Sequence, residues 1–90
     1  MANRTEKLTG WHSIADCDHL DDLIQSAVSM QLWEQAENLC FDLIERIFAR
    51  CGLKGQDMAH AYENLCLLLE AQGKDTSNYR MLADIVRKQR

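Results

Sequence analysis

Apolar residues recur along this chain at spacings of three and four, in four stretches separated by polar or glycine-bearing breaks, and that period belongs to helices with one buried face. The first stretch is Ile14, Cys17, Leu20, Ile24, Ala27 and Val28; Ser13 with Asp16 three residues on reads as a capping-box-like start, which predicts a helix over about residues 14–30. After a break at Gln31, the stripe resumes with Leu32, Ala36, Leu39, Cys40, Leu43, Ile44, Ile47, Phe48 and Cys51. Gly52 then stands where a left-handed residue ends a helix. Met58, Ala61, Tyr62, Leu65, Leu68 and Leu69 predict a third helix stopping at Gly73, and Asp75, Thr76 and Ser77 are all suitable caps for a fourth that carries Tyr79, Met81, Leu82, Ile85 and Val86. No stretch competes as a strand. Short connections favour antiparallel neighbours, so the expected fold is all-α: two stacked antiparallel helical hairpins forming one domain over residues 14–90. Residues 1–13 have two readings, a loose tail or a short capping segment, with Trp11 the side chain that would dock it onto the first hairpin.

The two hairpins are related by a repeat. At an offset of 42 residues, Leu20 aligns with Tyr62, Leu23 with Leu65, Ile24 with Cys66 and Ala27 with Leu69. Leu39 then aligns with Met81, Cys40 with Leu82, Leu43 with Ile85 and Ile44 with Val86, every pair apolar. Self-similarity at this period marks stacked helical hairpins. Leu20, Leu23, Ile24 and Ala27, then Trp33, Ala36 and Cys40 within the tract Leu32-Trp33-Glu34-Gln35-Ala36-Glu37, and Tyr62-Glu63-Asn64-Leu65 through Ala71-Gln72-Gly73-Lys74, resemble the tetratricopeptide repeat superfamily. The offset is most similar to the longer repeats of kinesin light chains. The chain departs from that pattern where the family has small residues, with Ile24, Cys66 and Asn78 in their place, and both repeats lack the terminal proline.

The resemblance implies a non-enzymatic protein-interaction module, an adaptor or small chaperone, in which the first helix of each hairpin lines a concave groove. Counting along those helices places Asp18, Asp21, Gln25, His60, Glu63, Leu67 and Glu70 on that face. Its acids argue against a clamp for a peptide carboxylate and favour a basic or helical partner segment. Repeat scaffolds need about three units to seal their interior, and two are present. The second helix has more apolar positions than one partner covers, including Phe41 and Phe48, which points to a protein partner or a homodimer.

Charge sharpens the choice of partner. The net charge is -4, and no Lys or Arg stands between Lys7 and Arg46, whereas Asp16, Asp18, Asp21, Asp22, Glu34, Glu37, Asp42 and Glu45 all do. The last eleven residues reverse the balance with Arg80, Arg87, Lys88 and Arg90 against Asp84. Helix-dipole preference accounts for part of this. An alternative function, a dimeric regulator that places the basic last helix on nucleic acid, rests on those four bases alone and is disfavoured by the overall acidity. No run approaches the roughly 20 apolar residues of a membrane span, and the polar start lacks an apolar leader core. A cytoplasmic location, without membrane association, is the expectation.

Little else in the chain suggests chemistry. Cys17, Cys40, Cys51 and Cys66 include no Cys-x-x-Cys pair and read as reduced, buried thiols. His12, Cys17 and His19 are metal-capable, but Cys17 and His19 face different directions on a helix and His60 stands alone in the sequence, so neither metal nor cofactor is expected. No nucleophile with an orienting base is legible, and Gly52-Leu53-Lys54-Gly55 lacks the spacing of a phosphate loop.

Overall fold

The computed structural model describes residues 10–12, 14 and 18–88, with the Asp18 side chain excepted. The expected Ser13–Asp16 cap, Cys17 and Arg90 lie outside the described residues. Four helices follow one another: α1 (Asp18–Ser29), α2 (Trp33–Cys51), α3 (Gln56–Ala71) and α4 (Ser77–Lys88). Each packs on its neighbour in sequence, α1 on α2, α2 on α3 and α3 on α4, so the chain forms two helical hairpins stacked in order. Among the described residues there is no strand, and no helix is long and apolar enough to cross a membrane.

The buried stripes are those the periodicity marks. Ile24, Ala36, Leu43, Ile47, Met58, Leu65, Leu68 and Val86 form the centre of a single core, with Trp11, Trp33, Leu39, Tyr62 and Tyr79 half-buried against it. One boundary differs from expectation. Ile14 is fully buried yet not helical, and α1 begins at Asp18. The spacing of Ile14 from Leu20 and Ile24 imitates a helical stripe, but Ile14 reaches the core from a non-helical position. Cys40 and Cys66 are buried free thiols as expected, whereas Cys51 is exposed, because α2 ends at that residue and the chain leaves the core through Gly52.

The helix ends show the repeat at atomic level. After α3, Gly73 has φ 75° while its N–H donates to the Glu70 carbonyl and that of Lys74 to the Leu69 carbonyl, a Schellman ending. Forty-two residues earlier, Gln31 and Leu32 donate to Val28 and Ala27 in the same arrangement, and Gln31 is forced to φ 60° without being a glycine. A side chain in this left-handed region is strained. The exposed Gln31 replaced by glycine is therefore expected to raise stability by about 0.5–1 kcal/mol, measured as a higher urea midpoint at unchanged slope. α4 starts on an Asx turn, with the Asp75 carboxylate accepting from the Ser77 N–H at 3.0 Å and its hydroxyl at 2.8 Å. Those two bonds to the charged form hold the Asp75 carboxyl below its ordinary pKa.

Candidate functional site

A built part of the surface is the place where Gly10, Trp11, His12 and Ile14 meet the helices. Asn64, fully buried on α3, receives the His12 N–H on its Oδ1 at 2.8 Å and donates its Nδ2 to the His12 carbonyl at 2.7 Å. One side chain thus satisfies both polar groups of a single peptide residue 52 positions away. On either side, the Trp11 indole donates to the Asp21 carboxylate of α1 at 2.9 Å, and Ile14 enters the core. Trp11 therefore docks this segment onto the first hairpin, as its position predicts. Gly10, at φ 87°, makes the bend that leads in, and a side chain there would meet Leu67 at 3.9 Å.

Next to the clasp a cleft of about 400 Å³ opens between α3, α4 and the segment. His12, His60, Glu63, Cys66 and Leu67 line it, with Arg80 and Arg87 contributed by α4. The His12 and His60 rings stack at 4.0 Å with 5° between their planes, and His12 Nε2 lies 3.0 Å from Glu63 Oε1. The other Glu63 oxygen pairs with Arg87. Burial holds the His60 pKa below that of a free histidine; His12 and Arg87 add to this, and Asp57 opposes it. Burial also pushes the Cys66 thiol up, with Arg80 pulling the other way, and pushes Cys40, helped by Asp21 and Glu37, up to about 12. Both thiols are thereby kept in their weakly nucleophilic protonated form at neutral pH.

Folding scatters part of the predicted groove and assembles the rest. His60, Glu63 and Leu67 do share one face and line the cleft. Asp21 is buried and engaged by Trp11; Gln25 is half-buried, its Nε2 without a partner among the described residues; Glu70 is exposed and pairs with Arg80. Asp18 opens α1. The acids of this face are largely answered from within the chain. So are the described bases of α4: Arg80 also bonds Thr76, Arg87 holds Glu63, and Lys88 lies 3.2 Å from Asp84. Sequence reasoning missed His12, Asn64, Cys66 and Arg87 as members of one site. The three- and four-residue steps from His60 through Glu63 and Asn64 to Leu67 were the available signal, but nothing local tells which segment crosses that stripe.

The apolar surface is distributed differently from the expectation that α2 alone carries the surplus. Phe41 and Phe48 are indeed exposed on α2, at 38% and 53%, although the Phe41 ring lies 6.0 Å from that of Tyr79 on α4. Burial and the neighbouring Tyr79 raise the Tyr62 pKa on α3, whose ring stacks with Tyr79 at 6.3 Å. The repeat identifies a second exposed region. Leu43 of α2 is 1% exposed and Leu39 half-buried, whereas their equivalents on α4, Ile85 and Met81, are 41% and 60% exposed. α2 lies between α1 and α3; α4 has α3 on one side and, among the described residues, no helix packed in the corresponding place on the other. Comparison with protein-family models, curated proteins and solved structures finds no match to the chain.

Proposed function

We propose that this chain is a non-enzymatic protein-interaction module of tetratricopeptide type, in which a helix of a partner protein, or of a second copy, completes the stack against the outer face of α4. The observation that carries this reading is the unequal burial of equivalent positions: Leu43 is buried and Leu39 half-buried in the first repeat, and Met81 and Ile85 are exposed in the second. An apolar helix in that place would give α4 a second neighbour, as α2 has in α1 and α3, and area removed from water is the main favourable term in such association. The cleft face is a less open docking surface, because Gly10 and His12 already lie on it. A nucleic-acid role for α4 has little support, since Arg80, Arg87 and Lys88 are each engaged by an acid of the same chain.

The test is the mass and composition of the complex purified from the native cell at low stringency, by light scattering and mass spectrometry, for the natural chain and for a Met81→Lys, Ile85→Glu variant. A stoichiometric protein partner or dimer lost in the variant, with helical content unchanged, is the expected result. A monomer, or a partner held equally by the variant, overturns the reading.

A further inference from the structure

We propose that His12, His60 and Glu63 form a binding site for one divalent transition-metal ion of the zinc class, which ties His12 to α3. The three side chains present their ligand atoms within 4.8 Å of one another, and all three are half-buried. His12 Nε2 and Glu63 Oε1 are already 3.0 Å apart. Two ligands of a tetrahedral zinc ion with bonds of 2.0–2.1 Å are about 3.4 Å apart. The ion therefore replaces the His12–Glu63 contact with little change in spacing, and His60 closes from the third side.

The backbone that carries these ligands is fixed. His60 and Glu63 are three residues apart on α3, so both project from the same side of one rigid helix. His12 is held in place by two hydrogen bonds to Asn64, the residue next to Glu63. Only side-chain torsions have to change: the stacked imidazoles splay until their nitrogen lone pairs converge, which moves rings that are not locked in the core. Two imidazoles and a carboxylate suit zinc and its neighbours in the first transition row, whereas calcium and magnesium require oxygen ligands in greater number.

The surroundings complete the site. Arg87 occupies one oxygen of Glu63, which leaves the other to bind as a single-oxygen ligand and fixes the plane of the carboxylate. Its positive charge repels the ion and limits affinity relative to the same three ligands alone. In front of the ligands the cleft of about 400 Å³ leaves room for a fourth, a water or a group from another molecule. Of the metal-capable residues that the sequence singles out, His12 and His60 form this site together with Glu63, and His19 does not. His19 is exposed on α1, and Cys17 lies outside the described residues.

The experiment uses the full chain, reduced and stripped of metal, titrated with zinc sulfate in competition with a chromophoric chelator. Cobalt(II) serves as a spectroscopic probe of coordination. One equivalent of zinc is expected to bind, the cobalt form to show the intense visible bands of a four-coordinate ion, and zinc to raise the unfolding temperature. His60→Asn and Glu63→Gln, each checked for unchanged helical content, are expected to weaken zinc by more than the roughly 10–100-fold that loss of an outer-shell partner costs, whereas His19→Asn leaves it unchanged. Absence of zinc binding by the natural chain overturns the proposal. So does binding that persists in both His60→Asn and Glu63→Gln or is lost in His19→Asn.

Discussion

Asn64→Leu is expected to lower stability by about 2–4 kcal/mol, because it leaves two polar backbone groups of His12 without their partner while keeping the side-chain volume. Asn64 is fully buried, so water does not replace it in place. The segment must instead lift away for the His12 N–H and carbonyl to be solvated, and that withdraws Ile14 from the core and Trp11 from Asp21. Three observables separate this from ordinary loss of packing. The urea midpoint falls; the slope also falls, since a native state with the segment already released exposes less new surface on unfolding. Tryptophan emission of the folded protein shifts to the red as Trp11 becomes hydrated. An unchanged slope with an unshifted emission would mean that the segment stays in place without its clasp, and that Asn64 only fills space.

Leu65→Ala acts through a different term. Leu65 is fully buried near the middle of α3, the helix packed between α2 and α4. Truncation removes three carbon atoms and leaves a cavity that two fixed neighbours cannot collapse, and such substitutions cost about 3–4 kcal/mol. A domain of this size is held by roughly 5–10 kcal/mol, and each kcal/mol moves the midpoint of a domain this small by roughly 4–8 °C. The unfolding temperature is therefore expected to drop by about 15–25 °C, with the slope in urea unchanged because the native surface is the same. The equivalent substitution in the first repeat, Leu23→Ala, is expected to cost less than about 1 kcal/mol, since Leu23 is 41% exposed. Equal losses at the two sites, read from parallel urea curves, would refute the unequal burial of the two repeats.

These contrasts mark what a linear reading of the chain can reach. The four helices, the glycine endings at Gly52 and Gly73, and most of the core were legible, because a helix writes its buried face into the sequence every three to four residues and its ends into a few capping residues. The place of Ile14 was not, because it satisfies the same spacing as Leu20 and Ile24 while lying outside the helix. The repeat was legible as chemistry and misleading as environment: Leu23 and Leu65, or Leu43 and Ile85, are the same kind of residue at equivalent positions, yet one of each pair is buried and the other exposed.

By itself, then, the sequence determined the helical class, the order and approximate length of the elements and the two-unit repeat, since all of these follow from local periodicity and local turn chemistry. The tertiary structure alone decided that Asn64 would hold His12 from 52 positions away, and that His12, His60 and Glu63 would meet within 4.8 Å. It likewise decided that Met81 and Ile85 would be the uncovered stripe. Those outcomes depend on which segment crosses which helix and on which helices pack against one another. Both are set by packing between parts of the chain that no local pattern connects.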